Sequence, residues 1–261
     1  MNLTIQTFLQ HALAGRDVFN DALEPLLALQ DEVREAFGYA LQNDEESAKR
    51  MEYLFSKPQP FGREEWSIEQ RYQATMSLRE RLHAAEKVYV IGAGSKTIRT
   101  AEFGTQARFI AADGAVGAVD DLSKVLCVVS DGDGAEHLQQ AAESSVHIVL
   151  HAHGDNLETW NELCTKWASM KSVPTLTLTH QTRTTFSEIH NPGGFTDGDR
   201  ALCFLHSMGL DLMDVECLGF STQEVGMWSG ATNPVAKLDK LQWMKEAMVR
   251  LGVGHHLINY D

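Results

Sequence analysis

Two aspartates separated by a single glycine, Asp131 and Asp133, follow the apolar run VLCVVS in this 261-residue chain. Carboxylates two positions apart point to the same side of an extended segment, and the glycines beside them allow a tight turn. Hard cations such as Mg²⁺ bind one or two carboxylates together with phosphate oxygens. The spacing therefore predicts a metal site at Asp131 and Asp133. A solvated turn in which Asp133 caps the following helix is the structural alternative.

A second apolar run ends in Gly92-Ala93-Gly94-Ser95. Glycines between a strand and a helix let backbone N–H groups approach a phosphate. Thr97 occupies the third glycine position of the dinucleotide fingerprint, and Asp113 lies about where that fold places its ribose-binding acid. The segment predicts a nucleotide contact and keeps a dinucleotide-dependent oxidoreductase as a competitor. A plain tight turn is the structural alternative.

The segment from His151 to Asn156 reads HAHGDN and follows the run VHIVL. In an extended chain His151, His153 and Asp155 alternate onto one face. A His-x-His pair is a familiar zinc spacing, but no further ligands of a four-coordinate set are apparent. We therefore predict a polar pocket wall here and no structural zinc ion.

Glycines and acids also crowd the stretch NPGGFTDGDR, residues 191–200, just before an apolar helical pattern. Thr196 or Asp197 is suited to cap that helix, and Arg200 could reach a phosphate from its first turn. Lys237 and Lys240 open a C-terminal helix. Those two lysines are predicted either to form a solvated face or to close over a polyphosphate.

The predicted secondary structure around these side chains changes near residue 86. Residues 1–85 predict a helical N-terminal region, with helices at 13–29, 31–42 and 67–85 around the irregular segment SKPQPFGREEW. Residues 86–261 alternate short apolar runs with helical stretches. This alternation predicts an α/β domain with a mostly parallel sheet and helices on both faces. The polar motifs follow the strands, where open parallel sheets bind ligands.

Composition limits the classes of partner. Asp and Glu number 36 against 22 Lys and Arg, a net charge of −14 that disfavours nucleic acid and anionic membranes. The chain has no apolar run long enough to span a bilayer and no pattern typical of a secretory signal. The four cysteines form no CxxC pair and predict reduced thiols. We expect a cytoplasmic protein that acts on small molecules, with a homo-oligomer left open.

Taken in order, GAGS, AADGA, SDGDG, HAHGDN and NPGGFTDGDRA resemble the archaeal 6-hydroxymethyl-7,8-dihydropterin diphosphokinases of the MptE-like family. The resemblance covers roughly residues 65–250, and HAHGDN and GGFTDGDRA are its most specific motifs. It implies a fold related to thiamine pyrophosphokinase and transfer of a diphosphate from ATP to the pterin hydroxymethyl group, with release of AMP. The implied pathway is tetrahydromethanopterin or folate synthesis. Ser95 and Gly132 depart from the family pattern, which often has a proline and a bulky residue there.

The resemblance also suggests roles for individual residues. Asp131 and Asp133 would bind Mg²⁺, and His153 or Asp155 would help to deprotonate the acceptor. Asn156 or Asn191 could bind the pterin edge, and Phe195 could stack on its ring. The implied catalytic set is Asp131, Asp133, His153, Asp155, Asp197 and Arg200. The implied nucleotide and substrate contacts are Gly92, Gly94, Ser95, Asp113, Gly114, Asn156, Gly194, Thr196 and Asp199.

Three other classes compete with this interpretation. A metal-dependent glycosyltransferase would bind a nucleotide sugar through the same aspartates, and a related domain occurs in proteins linked to flagellin glycosylation. A dinucleotide-binding oxidoreductase would need the glycine that Thr97 replaces. A non-catalytic nucleotide-binding protein would bind no metal at the acids.

Overall fold

The computed structural model describes residues 18–230 and 233–257. Within these ranges six strands form one sheet in which all neighbouring strands are parallel. The spatial order is β5-β4-β3-β2-β1-β6. The strands are β1 (Lys87–Ile91), β2 (Ala107–Ala112), β3 (Val125–Ser130), β4 (His147–Ala152), β5 (Leu176–His180) and β6 (Val215–Leu218). Each corresponds to one of the apolar runs, so the predicted parallel α/β class is confirmed.

Seven helices surround the sheet in the described ranges. They are α1 (Glu24–Phe37), α2 (Leu41–Phe55), α3 (Ile68–His83), α4 (Ala135–Glu143), α5 (Leu157–Ala168), α6 (Asp197–Ser207) and α7 (Pro234–Arg250). None of these helices is long and apolar enough to cross a bilayer.

Helices cover both faces of the sheet because strand side chains alternate in direction. In β1, Val90 packs into a core with α3, α6 and α7, whereas Ile91 packs into a second core with α2, α4 and α5. The β3 and β4 strands are buried along their whole length, as expected for a sheet covered on both sides. The sheet is therefore a rigid base whose carboxyl edge carries the polar loops.

The N-terminal helices differ from the prediction in their bounds. The predicted break between residues 29 and 31 is wrong, because α1 runs unbroken from Glu24 to Phe37 and ends at Gly38 in the left-handed conformation, φ 69°. Of the predicted helix over residues 13–29, residues 13–17 lie outside the described ranges, and residues 18–23 are not helical. The third helix is confirmed to within a few residues.

Helix α2 was not predicted from the sequence. Its buried positions, Asp44, Ser47, Ala48, Met51 and Phe55, follow helical spacing. Two of the five are polar, which hides the apolar stripe. Ala48, Met51 and Phe55 pack with strand residues of β4 and β5 in one core. The described part of the N-terminal region is thus packed on the sheet.

Candidate active site at the carboxyl edge of the sheet

The residues that directly follow the six strands meet at one edge of the molecule. They are Gly92, Asp113, Asp131, His153, Gln181 and Gly219, after β1 to β6 respectively. The helices that connect β3 to β4 and β4 to β5 pack on one face of the sheet, and the helix between β5 and β6 packs on the other. The position between the adjacent strands β1 and β6 is therefore a topological switch point.

Two clefts open at this edge. The first cleft is lined by Gly92, Gly94, Asp113, Phe220, Trp228 and Leu241 among others. The second cleft is lined by Tyr39, Asn43, Asp131, His153, Asp155 and Arg200 among others. Asp133, Thr196, Asp197 and Lys237 line both. The clefts therefore meet at two carboxylates and one lysine.

Three carboxylates at this junction lie close enough to share a cation. Asp113, Asp133 and Asp197 each offer an oxygen within 4.8 Å of the others. Burial first, and then repulsion from Asp131, raise the pKa of Asp197 to about 7; the pKa values of Asp113 and Asp133 are raised by burial and by neighbouring carboxylates. An all-oxygen, negatively charged set of this kind fits a hard cation such as Mg²⁺. Of the two predicted metal residues, Asp133 belongs to this set.

Asp131 lies instead among cations. Its Oδ2 is 3.2 Å from His153 Nε2 and 3.4 Å from Arg200 Nη1. Against the opposing effect of burial, the hydrogen bond from His153 and the charges of His153 and Arg200 hold the pKa of Asp131 well below its usual range. These ion pairs already balance the charge of Asp131 without a metal ion. Its role as a metal ligand therefore stays a prediction.

His153 is a cation in this arrangement. Burial lowers its pKa, but hydrogen bonds to Asp131 and Asp155 outweigh burial and raise the pKa to about 9. A protonated imidazole cannot accept a further proton, which argues against the predicted role of His153 as a base. Asp155, 2.5 Å from His153 Nδ1, is largely exposed, and its pKa is lowered chiefly by that hydrogen bond.

Asp113 reaches the site through an unusual backbone conformation. Its φ is +48°, and its Oδ1 accepts hydrogen bonds from Ser130 Oγ and from the backbone N–H of Gly134. A Cβ on Gly134 would lie 2.5 Å from that oxygen. The second glycine of SDGDG is therefore required by the approach of Asp113.

The glycines of GAGS make a different close approach from the predicted one. A Cβ on Gly92 or Gly94 would lie 2.8 or 2.9 Å from the carbonyl oxygen of Gly219, in the turn after β6. Ser95 donates from Oγ to the Leu218 carbonyl oxygen at 2.8 Å. These glycines fit the β1 and β6 turns together, although both also line the first cleft.

All six residues predicted as catalytic line the second cleft: Asp131, Asp133, His153, Asp155, Asp197 and Arg200. Of the predicted nucleotide and substrate contacts, Gly92, Gly94, Asp113 and Thr196 line a cleft. The others have structural contacts. Gly114 and Gly194 approach Trp228 and Arg200, respectively.

Asn156 and Asp199 hold the loops in shape. The Asn156 amide donates to the carbonyl oxygens of Asp131 and His151, both at 2.7 Å, and its Oδ1 accepts from the His153 N–H. Asp199 accepts from the N–H groups of Phe195 and Thr196. Thr196 is the N-cap of α6, which confirms one of the two predicted caps.

Two predicted acceptor contacts are occupied by the protein. Phe195 is 8% exposed and stacks on Phe37 with ring centroids 5.9 Å apart. Asn191 uses its amide on Gln30 and on the Thr182 carbonyl oxygen. Phe195 and Tyr39 both line the second cleft. Tyr39 stacks on the same Phe37 ring, with centroids 5.4 Å apart, but is more exposed, at 39%. Tyr39 follows α1, and no apolar periodicity marks it in the sequence.

Comparison with known proteins supports the resemblance inferred from the motifs. The chain is 36% identical over 152 residues to the 6-hydroxymethyl-7,8-dihydropterin pyrophosphokinase of Pyrococcus furiosus, a match covering 55% of this chain and 60% of that protein. This chain resembles archaeal pterin pyrophosphokinases. It is also 38% identical over 79 residues to the protein of that name from Methanocaldococcus jannaschii, covering 30% of this chain and 32% of the relative. No family model matches the chain.

Proposed function

We propose that this protein transfers a diphosphate group from ATP to the hydroxymethyl oxygen of 6-hydroxymethyl-7,8-dihydropterin and releases AMP. The observation that carries the proposal is the junction of two clefts at Asp133, Asp197 and Lys237. A group-transfer enzyme needs donor and acceptor to meet at one charged centre. The names of the two archaeal relatives supply the acceptor.

In the proposed reaction the acceptor hydroxyl gives its proton to a base, for which Asp155 in the second cleft is the remaining candidate. The acceptor oxygen attacks the β-phosphorus of ATP. The bond between that phosphorus and the oxygen bridging to the α-phosphate breaks, and AMP leaves. The protein does little covalent chemistry in such transfers, so catalysis depends on positioning of the substrates and on stabilisation of charge. Mg²⁺ held by Asp113, Asp133 and Asp197 would neutralise phosphate charge and polarise the transferring group.

The chain's own cations would complete the neutralisation. Lys237 and Lys240 face the second cleft from α7, and Lys237 also lines the first. This placement favours the polyphosphate role that the sequence left open for these lysines. His153, charged at neutral pH, would stabilise negative charge at the phosphates. Tyr39 offers a ring face for stacking of the pterin.

The close contact of Gly92 and Gly94 with the β6 turn weighs against a dinucleotide oxidoreductase, since it explains both glycines without a pyrophosphate. We further propose a thiamine-pyrophosphokinase-like fold, a cytoplasmic location and a product that feeds methanopterin or folate synthesis. The acidic balance of −14 supports small-molecule substrates over nucleic acid or anionic membranes.

The test is incubation of the 261-residue protein with ATP, Mg²⁺ and the pterin alcohol, with nucleotides separated by chromatography and the pterin product followed by ³¹P NMR. We expect AMP and a pterin diphosphate in equal amounts, and no AMP when the pterin is omitted. ADP as the nucleotide product would identify transfer of a single phosphate. Turnover of a nucleotide sugar in place of ATP would support the glycosyltransferase alternative.

A further inference from the structure

A buried chain of hydrogen bonds connects helix α2 to the acids of the site. It begins at Asp44, which is 3% exposed. The Asp44 carboxylate accepts from Gln181 Nε2 at 3.0 and 3.1 Å, from Arg34 Nη1 at 3.1 Å and from the Gly154 N–H at 2.7 Å. An N-terminal helix thus holds two segments of the carboxyl edge, the one after β4 and the one after β5.

Gln181 also forms a hydrogen bond with Arg200 and so extends the chain. Its Oε1 accepts from Arg200 Nη2 at 3.0 Å and from His151 Nε2 at 3.3 Å. Arg200 Nη1 in turn donates to Asp197 Oδ1 at 3.1 Å and to Asp131 Oδ2 at 3.4 Å. Asp197 is one of the three carboxylates at the junction of the clefts.

The chemistry of the partners allows one orientation of the Gln181 amide. A carboxylate only accepts and a guanidinium only donates, so the amide NH₂ must face Asp44 and the amide oxygen must face Arg200. His151 must then donate from Nε2, which leaves its Nδ1 to accept from Thr179 Oγ1 at 2.9 Å. The Thr179 hydroxyl also lies 3.4 Å from the Leu150 carbonyl oxygen, so its one proton has two acceptors. The links from Asp44 through Gln181 to Arg200 have one assignment.

Arg200 depends strongly on Gln181. The guanidinium is 3% exposed, and its Nε atom has no hydrogen-bond partner among the described residues. Without the Gln181 oxygen, Nη2 would also lose its partner, and an unpaired buried donor is unfavourable. The guanidinium would then be held through Nη1 alone, and rotation about that end could take it away from Asp197.

We propose that Asp44 and Gln181 are positioning residues of the site: they fix the guanidinium of Arg200 and, through it, the Asp197 carboxylate. The inference rests on the proposed diphosphate transfer. Helix α2 lies outside the segment that carries the motif resemblance. The inference gives this helix a role in positioning the residues of that site. A purely structural network would stabilise the fold without affecting turnover.

The first experiment compares Gln181→Met and Asp44→Asn with Ser47→Ala. Ser47 lies on the same helix, and its buried Oγ accepts from Trp160 Nε1 at 3.0 Å, with no link to Arg200. We expect Gln181→Met to lower kcat by about 10- to 100-fold, the typical loss for a residue that orients a metal-site ligand. Asp44→Asn keeps one acceptor oxygen and should lose less. Ser47→Ala should lower Tm and leave kcat within about twofold.

A double-mutant cycle asks whether Gln181 acts through Arg200. Lysine in Arg200→Lys cannot bridge Asp197 and Gln181 as the planar guanidinium does. In this background Gln181→Met should lower kcat by less than about threefold, since coupled residues are not additive. Independent, multiplying losses would overturn the proposal, as would a kcat for Gln181→Met within about twofold of wild type.

Crystal structures of the wild-type protein and Gln181→Met give a readout that does not need activity. We expect the Arg200 guanidinium to leave Asp197 in the variant. An unchanged guanidinium would overturn the proposal whatever the kinetics. If the wild-type protein makes no AMP, the proposed function fails, and the guanidinium position still decides whether Gln181 positions Arg200.

Discussion

At the scale of residues, the three junction carboxylates and Asp131 have opposite surroundings. Asp133 and Asp197 face other carboxylates, and their pKa values are raised. Asn at either position relieves repulsion in the free protein. We expect Asp133→Asn to fold normally and Asp197→Asn to lose some stability, because Asp197 also pairs with Arg200 at 3.1 Å. Both variants should lose at least about 100-fold in turnover and need more Mg²⁺. Turnover measured against Mg²⁺ concentration, with thermal melting alongside, checks this.

Asp239→Asn is the matched control, because Asp239 is exposed on α7 and its replacement removes the same charge away from the clefts. It should leave turnover and magnesium requirement unchanged. Near wild-type turnover in Asp133→Asn and Asp197→Asn, at an unchanged magnesium requirement, would remove the cation site from the proposed function.

Asp131 should behave differently from Asp133. Its carboxylate pairs with the partly buried His153 and the buried Arg200. Asp131→Asn removes this shared partner and leaves His153 with Asp155 and Arg200 with Asp197. We expect Asp131→Asn to lower Tm more than Asp133→Asn does, because Asp131 pairs with two cations whereas Asp133 faces other carboxylates. Equal Tm values for the two variants would contradict the ion pairs.

The pair of His153 and Asp131 also predicts a pH dependence. The pKa of His153 is raised to about 9 in the folded protein, above the roughly 6.5 of an unfolded chain. Its stabilisation is therefore complete below about pH 6.5 and is lost as pH rises through 9. We expect the free energy of unfolding, from denaturant titrations, to fall by up to about 3 kcal/mol between pH 6.5 and 9.5. His153→Gln should show a much flatter profile over that range; parallel profiles would argue against the pair.

At the scale of elements, the turns after β1 and β6 interlock. Gly219 has φ +72°, and a Cβ there would lie 2.1 Å from the backbone nitrogen of Ser95. Gly252, just after α7, has φ +81° but open space around it. We expect Gly252→Ala to cost about 1 kcal/mol, the price of a left-handed conformation alone. Gly219→Ala should cost several times more and should also impair turnover, since the turn lines the first cleft. Chemical denaturation of both variants measures the difference, and similar losses would show that the turns can separate.

At the scale of the whole molecule, the change in composition at residue 86 does not coincide with a gap in packing. Met51 and Phe55 of α2, together with Trp66, share a core with strand residues. Leu78 and Leu82 of α3 pack into the core on the other face. We propose that the described residues on either side of position 86, residues 18–85 and those from 86 to 257, fold as one cooperative unit.

A chain limited to residues 86–261 tests that unit. We expect it to lack cooperative thermal unfolding, because it would expose apolar surface on both faces of the sheet. Circular dichroism during heating checks this, with the 261-residue protein as the control. A sharp transition in the short chain would establish an independent α/β domain. In the full chain, Met51→Ala should cost about 2–5 kcal/mol, as for a buried methionine.

The sequence was enough for the parallel α/β class, for the six strands and for the six predicted catalytic residues that line the second cleft. Patterns within short segments of the sequence are enough to predict these features. Short apolar runs bounded by glycines form buried strands, and parallel strands bring their carboxyl ends to one edge. Asp131 and His153, which follow the paired strands β3 and β4, are therefore neighbours whatever the details of the loops. The helical bounds near residue 30 and helix α2 were missed, because Asp44 and Ser47 interrupt the apolar stripe of α2.

Only the tertiary structure decided which charges meet. Asp131 and Asp133 are equivalent as sequence, but the turn between them directs one carboxylate to His153 and Arg200 and the other to Asp113 and Asp197. The contact between Asp44 and Gln181 joins residues 137 positions apart. Electrostatic energies depend on distances of a few ångströms and on burial, and those are set by packing of distant segments rather than by spacing along the chain.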